Sequence, residues 1–142
     1  MKVEHNKNKI VVYLFDDKYT DVDIKNMLIS VFNDLNKYYD IDFKSSYVLE
    51  LYINQYYGVI LELEENDSES HDDIVNLKLN ILYDSLFLYE INEPLNYLNY
   101  EMYYYKDKFF INVNENNINV FEDSNIIYGN DVYKILGKGI KI

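Results

Sequence analysis

An α+β fold follows from three features of the 142-residue sequence. Several short runs alternate apolar with polar residues, as strands with one core face do. One longer segment repeats apolar residues at three- and four-residue intervals, as an amphipathic helix does. The alternating runs also come in neighbouring pairs separated by short polar stretches, the spacing of antiparallel hairpins.

Lys9 to Phe15 (KIVVYLF) is β-branched and aromatic and is expected to be a strand, broken by Asp16-Asp17. Thr20 and Asp23 have the spacing of a capping box, with Asp in place of the usual Glu. Ile24, Met27, Leu28, Val31, Leu35 and Tyr38 form the apolar stripe of a helix over Asp21 to Tyr39. Tyr47, Leu49, Leu51 and Ile53 alternate with Val48, Glu50 and Tyr52. Val59, Leu61 and Leu63 alternate with Ile60, Glu62 and Glu64. With Asn54 to Gly58 between them, these runs predict a hairpin with one core face.

Glu64 to Asn76 (EENDSESHDDIVN) is acidic and reads as a linker, since blocks of like charge repel and stay extended. Leu77 to Tyr83 alternates again and predicts a strand. Leu86 to Leu98 is expected to be helical after Asp84-Ser85, with Pro94 breaking or kinking it unless it occupies a first turn. Tyr100, Met102 and Tyr104 lead through Lys106-Asp107-Lys108 to Phe109, Ile111 and Val113, a second hairpin. Ile118 to Phe121 reads as a further strand. Asn130 or Asp131 is placed to cap a last helix over Val132 to Leu136, with Gly137 stopping it in a left-handed conformation.

The expected plan is therefore two strand–helix–hairpin units with antiparallel sheets packed by helices, and a short C-terminal helix. Residues 1–65 form the first unit, 66–76 the acidic linker, and 77–142 the second. VVYLFDD in the first half is echoed by LNILYDS in the second.

Charge narrows the functional classes. The chain holds 25 acidic and 13 basic residues, a formal net charge of −12. Every basic residue is Lys. A direct nucleic-acid or anionic-membrane partner is disfavoured, because binding phosphates takes clustered Lys and Arg. A basic protein surface would be attracted. There is no Cys, which excludes disulfides, thiol nucleophiles and Cys-based zinc sites. No apolar run nears the ~20 residues of a membrane span. Met1 to Lys9 has no apolar run of a signal peptide. A cytoplasmic setting is expected.

No constellation in the sequence points to catalysis, a cofactor or a metal. His5 and His71 stand apart, one near the N-terminus and one in the linker. The carboxylate pairs Asp16-Asp17, Asp21/Asp23, Glu64-Glu65, Asp72-Asp73 and Glu122-Asp123 fall in loops, caps or linker. Water screens them there, and a general acid needs burial or a like-charge partner. Glu122-Asp123-Ser124-Asn125 lacks the Gly and bidentate Glu of a calcium loop. The closing GKGIKI follows a helix rather than opening one, so it is no phosphate loop. A non-enzymatic protein without cofactors is the expectation.

The 17 tyrosines leave one positive signal. Tyr100, Tyr103, Tyr104, Tyr105 and Phe110 cannot all face one core, because successive strand residues point to opposite sides. Exposed aromatic clusters mark interaction surfaces.

The residue order resembles the MecA adaptor family of low-GC bacteria, which delivers substrates to the ClpC–ClpP protease. MKVEHNKNKIVVYLF resembles that family's first strand. VFNDLNKYYDIDFKSSYVLELYINQYYGVILELEE resembles the end of its N-terminal domain. EMYYYKDKFFINV resembles the C-terminal hairpin, and IIYGNDVYKILGKGIKI the final helix. This chain is shorter than typical members, and Pro94 stands where the family has a helix facing the protease. The resemblance implies that residues 1–65 bind a client or regulator and residues 77–142 bind the unfoldase. On that reading Tyr52 and Ile60, on the outer face of the first hairpin, contact the client. Tyr103, Tyr105 and Phe110, with Tyr133 and Lys134 of the last helix, contact the Clp-type ATPase.

A second expectation belongs to another class. An acidic, Arg-free chain can imitate nucleic acid, as a phage-encoded inhibitor of a nuclease or CRISPR effector would, and block the basic cleft of a nucleic-acid-binding protein. Its carboxylates would then line one ridge at about 6–7 Å, the repeat of alternate strand residues. A homodimer is left open.

Overall fold

The computed structural model describes residues 1–6, 8–15, 17–43, 46–65, 77–114 and 125–142. The expected linker over 66–76 with its His71, and the expected strand Ile118 to Phe121, lie outside the described residues. The chain forms an α+β fold of two units, each with a five-stranded sheet. One unit holds residues 1–53 and 58–82, and the other holds 54–57 and 83–142.

In the first unit β1 (Lys2–Asn6), β2 (Lys9–Leu14), β3 (Tyr47–Asn54), β4 (Gly58–Glu65) and β5 (Leu77–Leu82) lie in the order β1-β2-β4-β3-β5. The short helix α1 (Asp17–Thr20) and the long helix α2 (Ile24–Tyr39) connect β2 to β3. The second hairpin strand, β4, is thus slotted between β2 and β3. Period-two alternation turns Ile10, Val12, Leu14, Leu49, Leu51, Val59, Leu61 and Leu63 to one sheet face. Met27, Val31 and Leu35 of α2 cover that face. These three side chains recur at four-residue intervals, and burying each contributes about 1.5–3 kcal/mol. Phe32, Phe43 and Tyr47 extend the layer in edge-to-face contacts, with centroids 4.9 and 5.5 Å apart.

The helix begins later than the capping-box spacing predicts. Thr20 ends α1, and Asp23 is the cap of α2. Its carboxylate accepts the backbone N–H of Asn26 at 2.8 Å. At the other end Asp40 takes a left-handed conformation (φ 52°) and closes the last turn.

In the second unit β6 (Leu88–Ile91), β7 (Glu101–Tyr105), β8 (Lys108–Asn112), β9 (Ile126–Ile127) and β10 (Ile140–Lys141) lie in the order β10-β7-β8-β6-β9. The strand pairs β10–β7, β7–β8, β8–β6 and β6–β9 are all antiparallel. Helix α3 (Asn130–Lys138) buries Val132 and Ile135 with Leu88 and Phe110. On the other sheet face Tyr89, Ile91, Met102, Ile111, Val113 and Ile126 are buried. Phe87 and Tyr57 are buried as well, their rings 5.6 Å apart.

Three expectations are corrected. Leu77–Leu82 does not open the second unit. It pairs parallel with β3, so its alternating apolar residues complete the first sheet. Leu86 to Leu98 is not a helix. Pro94 leaves too few residues before it, and LYEI is claimed by β8, with Ile91 opposite Phe109. Pro94 opens a 3-10 turn, Pro94–Tyr97, where its missing N–H costs nothing. The last helix is longer than Val132 to Leu136 and starts after Gly129. It ends at Gly139 rather than Gly137, with no left-handed residue.

The strand–connection–hairpin plan nevertheless occurs twice, one strand later than the sequence echo places it. β2, β3 and β4 lie in the order β2-β4-β3, and β6, β7 and β8 in the order β6-β8-β7. A helix makes the crossover in the first unit and the 3-10 turn makes it in the second.

Candidate functional site

Packing decides which of the predicted contact residues reach solvent. Ile60 is fully buried. It sits on the central strand β4 directly opposite Tyr13, which is itself buried. Phe110 is buried too, because β8 is central in its sheet and this face carries α3. Both were expected as outward contacts and neither is available. Tyr52 is half-buried, and its hydroxyl donates to Glu50. Tyr103 and Tyr105 are half-buried against the α3 core. Tyr103 donates to Glu101 at 2.9 Å, and Lys106 stands over the Tyr105 ring. These tyrosines are chiefly packing residues with a polar tip. Tyr133 and Lys134 are exposed, as predicted, with Tyr133 67% accessible on the outer side of α3. Lys134 makes a weak surface pair with Asp131 at 3.5 Å.

Sequence alternation missed the most exposed large apolar residue among those described. Leu95 (80% exposed), with Leu98 close behind it in sequence, stands out on the crossover between β6 and β7. The turn holding them is tied internally. Glu93 accepts the Asn96 backbone N–H through its carbonyl and the Asn96 amide through its carboxylate at 2.7 Å. The Tyr100 N–H bonds the Tyr97 carbonyl, and the two rings lie 6.3 Å apart. Two leucines are therefore presented on a shaped support. Ile140 and Ile142 are also exposed beside β7. Pro94 was the available signal: a Pro-opened turn between two strands lifts the next residues off the sheet.

The first unit has its own exposed set on and beside α2: Val22, Ile29, Tyr38 and Tyr39. Ile29 projects opposite the Met27, Val31 and Leu35 stripe. Surfaces that present large apolar groups in a charged coat are the usual ground of protein recognition.

The carboxylates are arranged differently. Glu4, Glu50 and Glu62 lie on the face of the first sheet turned away from α2, by the alternation of their strands. Tyr13 donates to Glu4 at 3.1 Å, Tyr52 to Glu50, and Lys9 pairs with Glu62 at 3.1 Å. Burial, reinforced by the adjoining carboxylates, pushes the Tyr13 and Tyr52 phenols well above their ordinary range. Elsewhere Tyr19 donates to Asp34 at 2.6 Å, with Lys18 beside it. That hydrogen bond holds the Asp34 carboxyl below its usual value, and Lys18 adds to it. The Lys141 ammonium and the Tyr103 hydroxyl lower Glu101 in the same way. Glu4, Glu50, Glu62, Asp34 and Glu101 are thus engaged as acceptors of phenols and lysines.

Among the described residues no three His, Asp or Glu side chains gather as metal ligands, and no helix is long and apolar enough to cross a membrane. Comparison with protein-family models, with curated proteins and with solved structures finds no match to the chain.

Proposed function

We propose that the protein is a cytoplasmic, non-enzymatic adaptor that holds a client with one unit and a Clp-type unfoldase with the other. The observation that supports this reading most is the duplication of exposed apolar groups. Each unit has its own core, and each keeps large apolar side chains outside it: Ile29 and Tyr38 in the first, Leu95, Leu98 and Tyr133 in the second. Tethering needs only two such surfaces on one chain, because it works by raising the local concentration of one partner near the other. The resemblance to the MecA family assigns the unfoldase to the second unit. Leu95 and Leu98 replace Phe110 as the apolar part of that contact, together with Tyr133 and Lys134.

Sedimentation of the purified chain with a purified Clp-type ATPase tests the proposal. Co-sedimentation that Leu95→Asp and Tyr133→Asp each weaken at least about tenfold supports it. An ATPase that sediments alone rejects the unfoldase as partner.

Nucleic-acid mimicry has one observation in its favour. Glu62 and Glu64 stand two residues apart on β4, roughly 6–7 Å, with Glu50 on the neighbouring strand. Lys9 already neutralises Glu62 and the Tyr52 hydroxyl takes one acceptor position of Glu50, so the three do not present an unbroken free ridge to a basic cleft. Recovery of a basic nucleic-acid-binding protein from lysate, released by moderate salt, would favour this second reading.

A further inference from the structure

We propose that the outer edge of β5 is a self-association site, where a second copy of the chain adds its own β5 antiparallel about a two-fold axis. The inference is independent of the adaptor reading.

Sheet edges expose unpaired backbone groups and are normally protected by shortness or charge. Three of the four edges here follow that rule. β9 and β10 have two residues each, and β1 carries Lys2, Glu4 and His5 within five. β5 does not follow it. It has six residues, LKLNIL, with no carboxylate and a single Lys. Among the described residues no strand pairs with its outer side.

The side chains choose the occupant. Leu79 and Ile81 lie opposite Leu49 and Leu51, on the core side of the sheet. Ile81 packs into that core, while Leu79 is 38% exposed at its rim. A second β5 would set Leu79 against the other copy's Leu79 or Ile81, according to register, and carry the apolar layer across the seam. Lys78 points to the other face and, among the described residues, has no carboxylate partner in its own copy. An antiparallel pair centred on Leu79 or on Asn80 places each Lys78 opposite the other copy's Asn80 or Leu82. Their neighbours on β3 are Glu50 and Tyr52. The one cation of the edge thus meets the Glu50–Tyr52 pair of its counterpart, twice over. A different acidic partner would gain only one such contact.

Each copy carries a net charge of −12, so the pair forms against long-range repulsion. Two six-residue strands also give a small interface. A concentration-dependent dimer follows rather than a permanent one. It is best sought at ionic strengths of about 0.15 M, where the screening length is about 8 Å.

Sedimentation velocity on the full chain over a concentration series reads the result, with circular dichroism confirming that each variant folds. The wild-type chain is expected to pass from monomer to dimer. Lys78→Glu and Leu79→Lys should each weaken the dimer by roughly tenfold or more. Glu50→Lys should do the same, and mixing it with Lys78→Glu should restore a heterodimer, since each carries the charge the other lacks. The proposal is overturned by a wild-type chain that stays monomeric throughout. It is equally overturned by a dimer that the β5 variants leave intact, or by folded variants that fail to pair on mixing.

Discussion

At the scale of single residues the sharpest constraints are steric. Gly58 opens β4 with φ 126°, and a Cβ there would stand 2.4 Å from the Leu14 carbonyl oxygen. Gly58→Ala is therefore expected to destabilise the fold by on the order of 3 kcal/mol in a denaturant titration. Gly137 is the opposite case. It is helical, and a Cβ there would meet nothing within 4 Å. Gly137→Ala should stabilise the chain by up to about 1 kcal/mol in the same measurement. The sequence placed Gly137 as a stop because a Gly near a helix end usually is one. What stops α3 is Gly139, where a Cβ would approach the Ile135 carbonyl oxygen to 2.4 Å. Close backbone approach leaves no mark in a one-dimensional pattern, so the two glycines look alike until the chain is folded.

The Tyr19–Asp34 bond gives a pH-dependent prediction at the same scale. Asp34 is held below its ordinary value in the fold, so its contribution is present above the unfolded carboxylate pKa of about 4. It is lost as pH falls through the lower folded value. Tyr19 is raised, chiefly by burial and then by the bond to Asp34, so its contribution is present below pH about 10 and fades as pH rises through the folded value. Tyr19→Phe should therefore cost about 1 kcal/mol at neutral pH. Chemical denaturation repeated at low pH should find that deficit shrinking once Asp34 is protonated. A deficit that is flat with pH would place the cost in packing instead.

At the scale of elements, α2 is where local signals agree. An apolar stripe, an Asp cap and a left-handed terminal residue all bound one helix. The stripe was legible at Met27, Val31 and Leu35, where helical period and burial coincide, but Tyr38, which the same period adds to it, is exposed near the end of the helix. Leu35→Ala should cost about 2–5 kcal/mol and Asp23→Ala about 1 kcal/mol by thermal or chemical denaturation. The segment Leu86 to Leu98 was misread for a matching reason. Its apolar residues are dense enough to fit either period, and only pairing with β8 selects the strand. The hairpins were legible by alternation, but which face of each was free was not. Ile60 and Phe110 belong to the polar-alternate positions of the pattern, yet both occupy central strands with bulky neighbours. A central strand can be apolar on both faces, and alternation alone assumes that one face is wet.

The units also share a local device. β3 carries Glu50-Leu51-Tyr52 and β7 carries Glu101-Met102-Tyr103, and in each the Tyr hydroxyl donates to the Glu two residues before it. Both strands are the first of a hairpin whose second strand is central. The internal echo is therefore real at the level of topology and of this pair. It aligns β2 with β6, β3 with β7 and β4 with β8, where the sequence comparison of VVYLFDD with LNILYDS had aligned β2 with β5.

At the scale of the whole molecule, two cores with separate exposed apolar sets underlie the adaptor proposal. Tyr133 and Lys134 were readable from the sequence because a short amphipathic helix has only one dry side. Leu95 and Leu98 were not, because a residue after a Pro-opened turn carries no periodicity. The two partners should therefore be lost separately. Quantitative affinity capture from lysate, with the full chain and two folded surface variants as bait, measures this directly. The wild-type chain should recover a Clp-type ATPase together with a client. Ile29→Asp with Tyr38→Asp should lose the client alone, and Leu95→Asp with Tyr133→Asp the ATPase alone. Recovery of the same set of proteins by all three baits, or of a salt-released basic protein in place of the ATPase, would contradict it.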